Sequence, residues 1–415
     1  MELFDQLGAE IESLWLEKNY NEELLPAVAK DTLKRADLPS KLSAWDVVEW
    51  SLKQTDLPRQ RDPRGNFGDP PITVFSGPRF HIDIYFWFEG TTGIHQHGFC
   101  GAFQVLLGSS IHSWYEWDRH EVVNTFAETG EMRLKTCEIL EVGDVQEIWA
   151  GNQYIHALFH LDQPSATIVV RTDRSPLHLP QFEYHKPSLA LDPFFEQETA
   201  TKKLQIVSAL IRAKRPDADS QIIDLLNRSD LQTSVSILSQ LRGLLRSNHM
   251  SQLFKLEGPE ARFEAFLDVV RERHGALGDT LAAVFDHRDR LDDILNRRDF
   301  VTNPEHRFFM ALLLNVDERT RILGLVKHRF PDMDPVEKVL DWVFDLAETR
   351  VVGVETPNAL GIPDFGDPEM FVLENMLHGK TDEEIRQAFS AENPGAEIGE
   401  AIAKIRDAVI FRPLV

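Results

Sequence analysis

Cysteine, basic side chains and long apolar runs are scarce in this sequence, and each shortage excludes a class of protein. Of 415 residues only 2 are cysteines, which excludes a disulfide framework and a four-cysteine zinc site. The 44 Lys and Arg side chains face 67 Asp and Glu, and the net charge of −23 repels phosphate backbones and anionic lipid surfaces. No apolar run approaches the ~18–20 residues of a bilayer span, and the amino terminus lacks the basic start of a signal peptide. We therefore expect a cytoplasmic protein that binds neither nucleic acid nor membranes.

Several common catalytic motifs are also missing. The sequence contains no G-x-G-x-x-G, G-x-S-x-G or H-E-x-x-H pattern, and Gly379-Lys380-Thr381 lacks the upstream glycine of a phosphate-binding loop. These absences argue against nucleotide-binding and serine-hydrolase functions. With so few thiols, any metal must be held mainly by histidines or carboxylates.

The pattern of residue types divides the chain into three segments. Residues 1–60 show apolar positions at helical spacing, and the run of proline and glycine at 56–71 ends that segment. Residues 61–190 hold short β-branched and aromatic runs, which predict strands at 72–75, 80–88, 103–107, 111–117, 133–140, 155–161 and 166–171. Residues 191–415 are helical almost throughout, for example at 201–214, 231–245, 262–273, 335–348 and 397–411. The sequence thus predicts an α+β protein: an N-terminal helical segment, an antiparallel sandwich or barrel, and an all-α C-terminal domain.

Two of the predicted β segments carry histidines at positions suited to a metal. His95 and His97 are two residues apart in the segment Gly93-Ile94-His95-Gln96-His97, so on an extended strand both side chains share one face. Farther along the chain, a glycine turn at Gly151 leads into a strand that carries His156. Three histidines from two β motifs predict a facial metal site, although a single histidine on a strand is more often a hydrogen-bonded structural residue.

These two blocks resemble the two motifs of the cupin superfamily. Within it, Phe-Trp-Phe-Glu-Gly at 86–90, followed by Ile-His-Gln-His at 94–97, is similar to the thiol dioxygenases of the cysteine dioxygenase type. The resemblance covers residues 72–172. It implies a cupin barrel, a double-stranded β-helix, that binds Fe(II) through His95, His97 and His156 and uses O₂ to oxidise a thiol.

The sequence departs from the motifs of that family, and two of the departures concern a fourth ligand and a crosslink. Gly101 stands where cupins have a glutamate and cysteine dioxygenase has a cysteine, and Cys100 is one position off, so no fourth protein ligand is expected. The tyrosine that crosslinks to that cysteine would fall near Asp173 or Arg174, so no crosslink is expected either. Both departures argue against cysteine itself as the substrate.

An unusual polar set follows one face of the strand at 80–88. His81, Asp83 and Tyr85 alternate with apolar residues and share a face with Trp87. If Trp87 faces the lumen, as the resemblance implies, the other three face it too. We predict a catalytic role for Tyr85 and substrate contacts for His81, Asp83 and Trp87; the alternative is that all four point outward.

Two arginines and a further histidine complete the predicted pocket. Arg171 ends the strand that follows His156 and can pair with a substrate carboxylate, as can Arg79; a salt bridge at the barrel rim is the alternative for each. His160 shares a strand face with His156, and we predict a catalytic role in which it orients that ligand. The alternative for His160 is a histidine of the core.

The sequence therefore predicts a mononuclear non-haem Fe(II) dioxygenase. Three neutral histidines leave Fe(II) its double charge and open positions for an anionic substrate and O₂, and Mn, Ni, Zn or Cu would fit the same ligands. The expected substrate is a small polar molecule that bears a thiol or carboxylate. Two alternatives remain open: a metal-dependent isomerase, lyase or decarboxylase, and a metal- or ligand-sensing barrel whose helical half binds a protein partner. The helical half is also a candidate surface for a homo-oligomer.

Overall fold

The computed structural model of the chain describes residues 1–65, 67–88, 93–195, 197–246, 259–353 and 356–415. It confirms the predicted order of an N-terminal helical segment, antiparallel sheets and a helical C-terminal region. Across these residues, no helix combines the length and the apolar character that crossing a membrane requires.

The N-terminal segment consists of three helices, α1 (Glu2–Leu16), α2 (Leu25–Ala36) and α3 (Ala44–Lys53). In α1 the buried apolar side chains recur every three or four residues and so form one stripe: Phe4, Leu7, Ile11 and Trp15. This stripe packs in a common core with apolar side chains of α2 and of the first sheet. The α3 helix begins with a capping box, in which Ser43 and Asp46 each accept a backbone N–H of the other.

The described residues of the β region form eleven strands: β1 (Pro71–Ser76), β2 (Phe80–Trp87), β3 (Ile94–His97), β4 (Gly101–Leu107), β5 (Ser110–Asn124), β6 (Ala127–Leu140), β7 (Val145–Ile148), β8 (Gly151–His160), β9 (Ser165–Thr172), β10 (Glu183–His185) and β11 (Leu189–Leu191). The first sheet has the order β1-β2-β9-β4-β7, and the other strands form a closed six-stranded barrel in the order β10-β11-β6-β5-β8-β3. The structure thus confirms a barrel of antiparallel strands.

The two faces of β2 serve different cores. All eight of its residues are buried, as expected for a strand that is covered on both sides. One face, with Phe80, Ile82, Ile84 and Phe86, packs with the N-terminal helices. The opposite face places Tyr85 and Trp87 in a second, largely aromatic cluster inside the β region.

Two observed strands are much longer than predicted, and several observed strands were not predicted at all. The strand expected at 111–117 continues to Asn124 as β5, and the strand expected at 133–140 already begins at Ala127 as β6. Both are longer than expected because together they form a long hairpin. The far part of β5 is mostly exposed and polar, so no apolar alternation marks it as a strand. The three- and four-residue strands β7, β10 and β11 are too short to show any alternation.

The C-terminal region is helical, as predicted. The helices in its described parts are α4 (Glu198–Arg212), α5 (Ala218–Leu226), α6 (Leu231–Arg246), α7 (Pro259–His274), α8 (Ala276–Arg298), α9 (Pro304–Asn315), α10 (Arg319–Arg329), α11 (Pro335–Glu348), α12 (Asp367–Leu377), α13 (Asp382–Glu392) and α14 (Gly399–Asp407). The helix expected at 335–348 has those bounds, whereas the one expected at 397–411 is α14 followed by a short 3₁₀ turn.

The described chain forms two compact units, each assembled from separate stretches of sequence. The first contains residues 1–116, 133–179 and 290–415, and the second contains residues 117–132 and 180–289. The first unit includes the N-terminal helices, the first sheet and α9 to α14. The second has a helical core that draws on α4 to α8. The division of the chain into an N-terminal helical segment at 1–60, a barrel domain at 61–190 and an all-α domain at 191–415 stays a prediction.

Candidate metal centre

Two neighbouring strands of the barrel bring the three predicted ligands together. β3 carries His95 and His97, and it pairs antiparallel with β8, where His156 lies directly opposite His95. The register then shifts, so that His97 pairs with Gly151. This irregularity accommodates the four residues that lie between Gly151 and His156 on β8, where only one residue lies between His95 and His97 on β3.

The three imidazoles converge on one point. One ligand nitrogen from each of His95, His97 and His156 can be chosen so that all lie within 4.8 Å of one another. The Nε2 atoms of His97 and His156 are 2.8 Å apart, and Nδ1 of His95 lies 2.7 Å from the Gly93 carbonyl oxygen. Because that carbonyl can only accept, His95 carries its proton on Nδ1 and leaves Nε2 for a metal.

Burial keeps these imidazoles neutral. Desolvation, followed by the charges of His95, Arg171 and His112, holds the pKa of His97 well below its usual 6.5. The pKa of His156 is also held well below 6.5, first by burial and then by the neighbouring histidines. Burial lowers the pKa of His95 as well. A neutral imidazole has one free lone pair, which is the form that binds a metal.

Gly101 and Cys100 lie at and next to the position where the related motifs carry a further ligand. A Cβ atom on Gly101 would lie 1.8 Å from the Val170 carbonyl oxygen, so this position of β4 admits only glycine. The Cys100 thiol contacts the Glu22 carbonyl oxygen at 3.2 Å, and its side chain packs with the N-terminal helices. Burial raises the pKa of this thiol to about 12.

An arginine lies beside the cluster. The guanidinium carbon of Arg171 is 3.4 Å from the centroid of the Phe99 ring, and the Phe99 ring centroid is 4.4 Å from that of His97. One guanidinium nitrogen of Arg171 is also 3.5 Å from the Tyr85 hydroxyl. Among the described residues, no carboxylate lies within ion-pair distance of Arg171. Within the described part of the chain, its charge therefore lies near the cluster without a carboxylate partner.

Asp83 and its partners support Tyr85. The Tyr85 hydroxyl donates to Asp83 at 2.9 Å, Thr73 donates to the other carboxylate oxygen at 2.7 Å, and His81 lies 3.2 Å away. Burial alone would raise the pKa of Asp83, but the hydrogen bond and charge of His81, together with the two hydroxyl donors, lower it below its usual value. Burial raises the pKa of Tyr85, which stays protonated at neutral pH. On this buried face His81, Asp83 and Tyr85 therefore belong to one hydrogen-bonded network, whereas the Trp87 indole donates to Thr167 at 3.4 Å.

His160 lies in a different environment from the one expected. Its Nδ1 is 2.7 Å from the Ser165 hydroxyl, and its ring stacks on Trp87 with centroids 4.8 Å apart. The atom that contacts Nδ1 of His156 is instead Nε2 of His112, at 2.8 Å. His160 therefore does not contact His156, although the sequence had led us to expect this contact. The two residues share a face of β8, but they are four residues apart, which is too far for their side chains to meet. A catalytic role for His160 stays a prediction.

The Arg79 side chain, which was expected to contact substrate, lies away from this cluster. Arg79 is exposed, and its guanidinium lies over the Tyr20 ring at 4.1 Å, next to the N-terminal helices. The position of Arg79 gives no support to a role in substrate binding, and that role stays a prediction. Glu89 and Gly90, which contributed to the resemblance, lie outside the described residues.

His112 and Phe99 lie at the site but were not among the site residues predicted from the sequence, where His112 was only an alternative to His156 as the third ligand. His112 lies on β5, two residues before Trp114, which pairs directly with His156 across the ladder. Alternation along β5 places His112 and Trp114 on one face, but only the β5–β8 register brings that face to His156. Phe99 follows His97 at the same two-residue spacing, so the alternation of β3, continued past its end, was a usable signal.

Comparison with models of known protein families gives no match, and no curated protein matches the sequence. The case for function therefore depends on the geometry of the site.

Proposed function

We propose that the protein is a metal-dependent dioxygenase in which a cupin barrel holds one Fe(II) ion through His95, His97 and His156. The observation that carries the proposal is the convergence of three neutral imidazoles, those of His97 and His156 buried and that of His95 partly buried. Two unprotonated Nε2 atoms that face each other would repel through their lone pairs, so a separation of 2.8 Å requires either a proton or a cation between them.

The donor set fits a divalent metal ion. With metal–nitrogen distances of about 2.1 Å and an angle near 90°, two ligand nitrogens lie about 3 Å apart, which is close to the 2.8 Å between the Nε2 atoms of His97 and His156. All three ligands would bind through Nε2. When bound, Fe(II) would supply one-electron redox chemistry together with open coordination positions for a substrate and O₂.

Arg171 supports an anionic substrate. Its guanidinium has no carboxylate partner among the described residues, and the Phe99 ring holds it within reach of the cluster. A carboxylate or thiolate next to His97 would neutralise this charge at short range. The Tyr85 hydroxyl lies at hydrogen-bond distance from Arg171 and donates to Asp83, so it would keep the arginine in place.

Aromatic side chains would exclude water from this substrate. The cluster that surrounds the histidines is largely aromatic and includes Trp87, Phe99, Phe103, Tyr154 and the partly buried Trp114 and Trp149. Exclusion of water strengthens the interaction of the arginine with an anion and protects reactive species from side reactions. These features favour a small substrate that bears a thiol or carboxylate.

Oxygen consumption by metal-loaded protein tests the proposal. Apoprotein is loaded anaerobically with one equivalent of Fe(II), and O₂ uptake is followed with an electrode as small thiols and carboxylates are added. We expect uptake that depends on one class of substrate and that is absent from Zn(II)-loaded protein.

Two variants serve as controls. His156→Ala should abolish O₂ uptake, whereas His328→Ala, which removes an exposed imidazole of α10, should leave uptake at the parent level. Equal turnover with Fe(II) and Zn(II), and no O₂ uptake, would instead support the isomerase, lyase or decarboxylase alternative.

A further inference from the structure

We propose that His112 is a positioning residue that holds the metal ligand His156 in its binding tautomer. The role rests on the metal site proposed above. His112 is completely buried, with 0% of its surface exposed, and its Nε2 lies 2.8 Å from Nδ1 of His156. No sequence motif marks this residue, and the antiparallel pairing of β5 with β8 brings it to the site.

The tautomers follow from the positions of the nitrogens. Nε2 of His156 faces His97 and is the atom available to a metal, so the proton of a neutral His156 must be on Nδ1. That N–H then donates to Nε2 of His112, which accepts through its lone pair. The proton of His112 is consequently on its own Nδ1, an atom with no hydrogen-bond partner among the described residues.

The surroundings of His112 restrict its ring. Its centroid lies 3.8 Å from that of Trp114 and 5.5 Å from that of Phe103, so the imidazole packs between aromatic side chains. The Tyr154 hydroxyl approaches the same Nε2 atom at the longer distance of 3.4 Å. A ring held in this way fixes the orientation of His156 as well as its proton.

The charge of the group that accepts the His156 N–H also affects a bound metal. Ligand histidines commonly donate to a carboxylate, which adds negative charge and makes the ligand more basic. A neutral imidazole accepts the same hydrogen bond without adding charge. His95 likewise donates to a neutral acceptor, the Gly93 carbonyl oxygen. With these neutral partners, the ligand set leaves a bound divalent ion its full charge for an anionic substrate.

Two substitutions separate positioning from packing. His112→Gln keeps an acceptor near the position of Nε2 but removes the ring, whereas His112→Phe keeps an aromatic ring and removes the acceptor. The probe is Co(II) alone, added to apoprotein, with its affinity measured by competition and its coordination by visible absorption. His306→Leu serves as a matched control, because it removes another buried imidazole, one that pairs with Asp345 at 3.2 Å.

We expect His112→Phe to bind Co(II) roughly 10 to 100-fold more weakly and with an altered absorption spectrum, the usual effect of losing a hydrogen-bond partner of a ligand. His112→Gln should stay within about threefold of the parent and keep its spectrum, as should His306→Leu. Parent-like Co(II) affinity in His112→Phe would overturn the proposal, as would a loss in His112→Gln as large as that in His112→Phe. Either variant is informative by itself if the other does not fold.

These measurements involve no turnover. A failure to consume O₂ would therefore leave the role of His112 standing, and parent-like Co(II) binding by His112→Phe would leave the dioxygenase proposal standing.

Discussion

Acid should destabilise the metal-free fold through its buried histidines. Burial holds the pKa values of His97, His112 and His156 well below 6.5, and it lowers the pKa of His160 to about 3. In the unfolded chain the same side chains bind a proton near pH 6.5. Between pH 6.5 and 5.5 the unfolded state therefore gains protons that the folded state does not.

The sign and size of the effect follow from this difference. A folded pKa below the unfolded value contributes stability above pH 6.5 that is lost as the pH falls. Each histidine should remove about 1 kcal/mol from the free energy of unfolding between pH 6.5 and 5.5, and four should remove about 4 kcal/mol. That is a large part of the ~5–15 kcal/mol typical of folded domains.

Urea unfolding followed by tryptophan fluorescence at pH 7.5, 6.5 and 5.5 measures this loss on chelator-treated protein. Carboxyl groups whose pKa is raised by burial, such as Glu128, act in the opposite direction, so the comparison of parent with variant isolates the histidines. His160→Phe keeps a ring on Trp87 and should reduce the loss by about 1 kcal/mol. The exposed His328→Ala should leave the loss unchanged. The reasoning fails if parent and His160→Phe show the same dependence on pH.

Three further predictions concern the site and its frame. His97→Ala and His156→Ala should each weaken metal binding by more than about 100-fold, which exceeds the usual effect of losing a hydrogen-bond partner of a ligand. Circular dichroism should show that both variants keep the fold, and full metal content by mass spectrometry would contradict the prediction. Arg171→Met should raise KM for the substrate found above by about tenfold while changing kcat less, because a remote anion contact supplies uniform binding; unchanged steady-state KM would exclude the contact. Gly101→Ala should destabilise the fold by about 3 kcal/mol, because its Cβ would lie 1.8 Å from the Val170 carbonyl oxygen; an unaltered Tm would refute the steric argument.

Part of the site could be predicted from the sequence because the covalent geometry of a strand fixes which side chains share a face. Side chains two residues apart on a strand share a face, and this rule alone placed His95 with His97 and Tyr85 with Trp87. The same alternation, with the helical spacing of apolar residues in α1, predicted the order of helical and β regions. It was weak where a strand is short, as in β10 and β11, or is solvated on both faces, as in the far part of β5.

Only the tertiary structure decided which faces meet. The pairing of β3 with β8 puts His95 opposite His156, and the pairing of β5 with β8 brings His112, rather than His160, to the free nitrogen of that ligand. It also separated two arginines that were equivalent in the sequence: Arg171 reaches the cluster, and Arg79 packs on Tyr20. Register between distant strands depends on the burial of whole sheets rather than on local residue pattern, and a shift of one residue would turn every side chain to the opposite face.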